Sequence, residues 1–260
     1  MNDATDRPTD PRSGLRGFLV LDAFVRLLVW APSFALAMAT FTWLDAWPTK
    51  SFVGAELGFA WTWGIKLAQW MAVFNIAYVL VLLFLRLLVP TPREGRYKTV
   101  AGQRMDLQII RAGLLATLTK ARYEAPFPAF LVYHMANLPP MCWLFSYLYG
   151  PRTQSCCVTD ARFLDPWLTK IGRNVTIGYG AIISAHTQGR DEIMIKRTVI
   201  DDDVLIGGNA AIYGGCHIHR GAVILGGAIV RPDTVVGENE VWGGVPAKKL
   251  KELPPYGAQG

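Results

Sequence analysis

The sequence predicts a mainly β protein: a parallel β-helix over the last hundred or so residues, preceded by an α-helical hairpin of membrane-spanning length. Three observations carry this. From Ile200 to Ala247 the chain divides into eight consecutive blocks of six, led by Ile200, Ile206, Ile212, Ile218, Ile224, Val230, Val236 and Trp242. Two stretches in the first ninety residues are almost free of charge. The register of six breaks once, between Ile183 and Ile200, which are 17 residues apart. A period of six fits neither the 3.6 of a helix nor the 2 of a strand. It fits a coil of three short flat faces, each sending one large apolar residue inward. A sandwich of Val/Ile-rich strands would need turns of unequal length, and eight blocks without a slip argue against it.

Composition agrees with a membrane-associated chain. Of 260 residues 52% are hydrophobic, nine are Trp and only 18% are charged, which is too apolar for an ordinary soluble protein of this size. The four cysteines (Cys142, Cys156, Cys157, Cys216) show no CxxC or metal-like spacing, so reduced thiols in a cytoplasmic setting are expected. No nucleic-acid partner is expected from the net charge of +6, because the basic residues gather behind the second apolar stretch.

In chain order, residues 1–16 read as a mobile polar tail without a cleavable signal peptide. Residues 17–90 read as a two-helix transmembrane hairpin. Leu27–Leu44 is about long enough to cross ~30 Å of hydrocarbon, and Leu67–Val89, apolar apart from Gln69, Asn75 and Arg86, is the stronger span. Behind it come Arg86, Arg93, Arg96, Lys98, Arg104, Arg111, Lys120 and Arg122 against only Glu94 and Asp106. The positive-inside bias then puts the N-terminus and the β-helix on the cytoplasmic side of a plasma (bacterial inner) membrane.

Residues 91–157 read as an amphipathic or interfacial helical region. Within it, 103–123 forms an amphipathic helix with Leu107, Ile109, Ile110, Leu114 and Leu118 on its apolar side. That side lies on the membrane surface or packs on the β-helix. Residues 125–149 are apolar, but Pro126, Pro128, Pro139 and Pro140 forbid a continuous helix, so they form a broken or re-entrant segment, with His134 structural. The β-helix occupies 158–250, with early blocks led by Ile171, Ile177 and Ile183, and 251–260 forms a C-terminal tail. The residues after His186, including Gly189–Thr198, leave the coil as a loop rooted at that histidine.

Hexapeptide blocks, a loop rooted at His186-Thr187-Gln188 and the terminus Gly244-Val245-Pro246-Ala247-Lys248 resemble the hexapeptide-repeat acyltransferases. Leu164-Asp165-Pro166, Ile171-Gly172 and Arg93-Glu94-Gly95-Arg96-Tyr97 after a membrane helix are similar to the acyltransferase-like domains ending membrane-bound peptide synthetases of the polylysine type. Thr187 stands where the sugar acetyltransferases of that superfamily usually carry proline, so the acceptor class stays open. The resemblance implies a left-handed coil, a homotrimer, and acetyl-CoA or another acyl-CoA as co-substrate with no metal.

The resemblance also implies the site. His186 is the general base that takes a proton from an incoming hydroxyl or amine, a role suited to an imidazole near neutral pH. Asp165, or else Asp191 or Glu192 of the loop, orients it, and Asn209 contacts donor or acceptor. Gly207-Gly208 and Gly214-Gly215 bring backbone near the thioester; with Gly226, Gly227, Lys248 and Lys249 the late coils and C-terminal turn take coenzyme A. The plainer readings are tight corners for the glycines and Asn209, and a solvated basic end for the lysines. His217 and His219, inside unbroken blocks, read as structural, since a zinc site of carbonic-anhydrase type needs three converging histidines. The expected function is a membrane-anchored acyltransferase acting on a lipid-linked sugar, lipid or surface-polymer precursor. The alternatives are transfer from a carrier-protein or peptidyl thioester, and a non-catalytic trimeric scaffold.

Overall fold

A computed structural model describes residues 13–44, 59–99, 106–123, 157–158 and 161–255. The Pro-broken segment, His134 and most of the N-terminal tail lie outside the described residues.

The C-terminal part is a parallel β-helix. Its first face stacks Cys157–Val158, Thr176–Ile177, Leu205–Ile206, Val223–Ile224 and Glu240–Gly243. Its second stacks Arg162–Phe163, Ile182–Ile183, Ala211–Ile212 and Ile229–Val230. Its third stacks Thr169–Ile171, Thr198–Ile200, His217–Ile218 and Val235–Val236. Regular partners are one coil apart, as in Ile206↔Ile224, whereas Ile177↔Ile206 spans the coil that contains the outlying loop. The leading residues point inward as the period requires: Ile177, Ile183, Ile212, Ile218, Ile224, Val230 and Val236 are all buried. A second inward position, occupied by the small Ala210, Cys216, Ala222 and Ala228, fills the corners of the same core. Several corners turn on residues in the left-handed region, among them Asn174, Asp203, Asn209, Asp233 and Asn239 at φ 54–61°. Asn and Asp tolerate that region better than other residues with a Cβ.

The first half begins with two long helices, α1 (Ser13–Leu44) and α2 (Phe59–Leu88). Helix α1 starts earlier than the apolar pattern alone indicated, within the expected tail, and Pro32 lies inside it. Leu19–Thr40 and Trp63–Leu88, with mean hydropathies of 1.7 and 2.3, are long and apolar enough to span a membrane by length and composition. Val25, Val29 and Ala37 pack against Phe74, Tyr78 and Leu82. The outward side chains Leu27, Leu80, Phe84 and Leu87 remain exposed. Three polar side chains along the helices are engaged within the chain: Arg26 pairs with Asp22 at 2.8 Å, Asn75 donates to the Met71 carbonyl at 2.8 Å, and Arg86 donates to the Val89 carbonyl at 3.1 Å.

Helix α3 (Leu107–Tyr123) joins the two parts. Its buried apolar residues are Leu115, Leu118 and Ala121, in one cluster with α1 and α2, and Tyr78 Oη donates to the Ala121 carbonyl at 2.9 Å. Leu107 and Ile110, expected on the apolar side, are exposed. Leu118 of that side is buried and Leu114 packs on the same cluster, so the C-terminal half of the expected stripe faces the hairpin. Trp167, at the start of the β-helix, packs on this helical cluster and also on Leu168, Ala185 and Ile195, where Ala112 of α3 joins it.

Candidate functional site

After Ile183 fills its inward position on the second face, the chain leaves the coil through Ser184, Ala185 and His186. His186–Gln188 pairs antiparallel with Glu192–Ile195, which pairs in turn with Gly95–Lys98 from the segment behind α2. The upstream Arg93–Tyr97 motif is therefore part of the loop's own small sheet. Arg96 pairs with Glu192 at 3.0 Å and Glu94 with Arg197 at 3.3 Å, pinning both ends of the returning strand.

Asp165 is buried immediately before the short 3-10 turn Pro166–Leu168. Its Oδ2 accepts from the Ala185 N–H at 2.8 Å, lies 3.2 Å from Ser184 Oγ, and lies 2.6 Å from His186 Nδ1. A carboxylate facing Nδ1 fixes the proton there and leaves Nε2 with its lone pair. The Ser184 hydroxyl also accepts the His186 N–H at 3.1 Å, so backbone and ring are held together. Partial burial of the His186 ring disfavours its charged form, but the Asp165 hydrogen bond and charge outweigh it, and the pKa rises above 6.5. Of the three carboxylates the sequence offered as orienting groups, Asp165 is the one in contact. Glu192 is committed to Arg96, and the Asp191 carbonyl accepts the Thr99 N–H.

Gly214 lies against the backbone of Ala185 and His186. A Cβ there would sit 2.9 Å from the Ala185 carbonyl carbon and 3.1 Å from the His186 nitrogen. Gly215 turns at φ 83° beside the ion pair of Lys196 and Asp233. These two acidic and basic residues, with Glu94, Gly95, Arg96, Met194 and Ile195, line a cavity of about 340 Å³. Lys196 and Asp233 carried no signal in the hexapeptide pattern.

The remaining expected site residues lie elsewhere. Gly207, Gly208, Gly226, Gly227 and Asn209 form the corner between the first and second faces, whereas His186 leaves from the corner between the second and third. Gly207 is stacked on Gly226, where a Cβ would come within 2.7 Å of the Gly226 Cα. Asn209 sits at φ 56° with its N–H on the Tyr179 carbonyl at 2.9 Å. One chain by itself therefore does not bring these five residues to His186. Lys248 is exposed in the terminal strand Lys248–Glu252. Lys249 is engaged by Glu240 at 2.6 Å and Glu252 at 3.1 Å; the hydrogen bond it donates to Glu240, then that to Glu252, raises its pKa. His217 and His219, read as separate structural residues, in fact converge on Asp201.

No family model matches the chain. It is 30% identical over 116 residues to YvoF of Bacillus subtilis, named as a candidate acetyltransferase, covering 42% of this chain and 67% of that protein. It is 38% identical over 81 residues to a 2,3,4,5-tetrahydropyridine-2,6-dicarboxylate N-acetyltransferase of Staphylococcus aureus, covering 31% of this chain and 32% of the relative. It is 33% identical over 85 residues to gamma carbonic anhydrase 2, mitochondrial, of Arabidopsis thaliana, covering 33% of this chain and 26% of that one. The chain thus spans about a third or less of the length of these last two relatives. Among solved structures, a maltose O-acetyltransferase from Clostridium difficile shares 18% identity at a TM-score of 0.41, covering 54% of this chain and 89% of that one. The repeat of six and the match across two thirds of YvoF make this chain a member of the hexapeptide-repeat acetyltransferase superfamily.

Proposed function

We propose that the chain is a membrane-anchored acyltransferase that moves an acetyl or other acyl group from coenzyme A to a hydroxyl or amine. The acceptor is a lipid-linked sugar, a lipid or a surface-polymer precursor held at the bilayer. The observation that supports this most directly is the contact of the buried Asp165 carboxylate with His186 Nδ1 at the root of the loop. His186 Nε2 takes the acceptor's proton as its oxygen or nitrogen attacks the thioester carbonyl. The tetrahedral intermediate collapses, the carbon–sulfur bond breaks, and the imidazolium returns the proton to the departing thiolate. Asp165 is the positioning residue: it holds the tautomer and stabilises the imidazolium.

The separation of His186 from Gly207, Gly208, Asn209, Gly226 and Gly227 onto different corners supports a homotrimer, in which the base of one subunit faces the glycine corner of the next. The exposed apolar flanks of α1 and α2 support insertion of the hairpin into the cytoplasmic membrane, with both ends on the cytoplasmic side. His186→Ala should fold, by circular dichroism, and lose acetyl-CoA-dependent transfer by ~10² or more. Turnover close to that of the unaltered protein would overturn the assignment.

A further inference from the structure

Face three carries a second constellation, at the far end of its strands from His186. Asp201 and His219 are 18 residues apart and follow the paired Ile200 and Ile218 on neighbouring rungs. His217 precedes the inward Ile218, so both histidines project from the same outer side of the strand. Asp201 Oδ2 lies 2.9 Å from His217 Nε2 and 3.2 Å from His219 Nδ1. The two rings are 3.9 Å apart between centroids, and the three donor atoms all lie within 4.8 Å of one another.

We propose that Asp201, His217 and His219 bind a divalent transition-metal ion of the zinc type. Two imidazole nitrogens and one carboxylate oxygen are a zinc donor set, with solvent as fourth ligand. Bonds of about 2.0–2.2 Å in a tetrahedron hold neighbouring donors roughly 3.3–3.5 Å apart. The two short edges here need to open by only tenths of an ångström. The backbone on which the donors stand is fixed: the Asp201 N–H bonds the Ile218 carbonyl at 2.9 Å and the His219 N–H the Val236 carbonyl at 3.0 Å. The neighbouring guanidiniums do not compete, because Arg173 is held by Asp202 at 3.0 Å and Arg220 by Asp203 at 2.8 Å. The three side chains are 33–39% exposed, which gives an ion and a water access. A bound ion joins two successive coils, and the site stands independently of acyl transfer at His186.

The test uses tag-free full-length protein in detergent, stripped by chelation and titrated with zinc alone by calorimetry. One ion per chain is expected, with a melting temperature that climbs with zinc concentration. His217→Ala and His219→Ala should each weaken zinc affinity by about a hundredfold or more, and cobalt in place of zinc should show tetrahedral d–d bands that both variants lose. His186→Ala, which alters the other Asp–His pair, should bind zinc as the unaltered protein does. Where an alanine variant misfolds, His219→Gln keeps a hydrogen-bonding group toward Asp201. No zinc uptake by the unaltered protein, or uptake retained by folded His217→Ala or His219→Gln, overturns the proposal.

Discussion

Replacing Asp165 by asparagine separates the charge behind His186 from the shape around it. The amide fills the same buried volume and still accepts from the Ala185 N–H, so the fold should persist. What disappears is a charged acceptor 2.6 Å from Nδ1. A hydrogen bond to an ionised group contributes about 1.5–3 kcal/mol. If the imidazole becomes an imidazolium as the acceptor attacks, as proposed, that difference falls on the transition state, equivalent to a rate loss of roughly ten- to 150-fold.

The pH profile gives an independent readout. Burial lowers the His186 pKa and Asp165 more than restores it, so the unaltered protein should show an acid limb in kcat/KM lying above 6.5. In Asp165→Asn only the burial remains, and the limb should move down, below that value. The stability consequence has a definite sign. A histidine whose pKa is raised on folding stabilises the fold fully at pH below about 6.5, and this contribution fades as pH climbs through the raised value. Thermal stability should therefore show that decline in the unaltered protein and lack it in the variant. The assay is release of coenzyme A thiol followed across pH in detergent-solubilised protein. An unmoved acid limb with a rate within twofold would refute the role given to Asp165.

Gly214→Ala should push the Ala185–His186 backbone aside, because the atoms 2.9–3.1 Å from its new methyl are main chain and cannot swing away. Overpacking of this kind costs about 1–3 kcal/mol, and a fall in kcat larger than any change in KM would mark displacement of the base. Ile212→Ala, in the middle of the prism and only 1% exposed, should lower stability by about 2–5 kcal/mol in denaturant titration while leaving the pH profile unchanged. The hairpin should keep the protein in the pellet when membranes are washed with alkaline carbonate, and release into the supernatant would remove the case for insertion.

The coil was legible because each flat face admits one large inward residue, and Ile206, Ile212 and Ile218 repeat that requirement without exception. The second inward position was not legible in the same way. Ala210, Cys216 and Ala222 are small, and a small residue in a Gly-rich repeat reads equally well as a turn. The loop and its histidine were visible as a break in register. The choice of Asp165 over Asp191 and Glu192 was not, since it depends on the preceding coil bringing residue 165 beneath residue 186, and on Arg96 engaging Glu192. The glycine corners look alike in sequence, but Gly214 stacks below His186 while Gly207 stacks on Gly226, a difference set by the phase of three faces per coil. Leu114 and Leu118 were legible as the apolar side of α3, but the hairpin as its partner was not, because a lone amphipathic pattern does not identify what it packs against.

The strand Lys248–Glu252 runs antiparallel along Glu240–Gly243 and is exposed at every position. A stack of open coils would otherwise present a bare row of amide and carbonyl groups, onto which another copy's coil could dock and extend into a filament. Four charged side chains on a reversed strand close that route at the last rung of the first face.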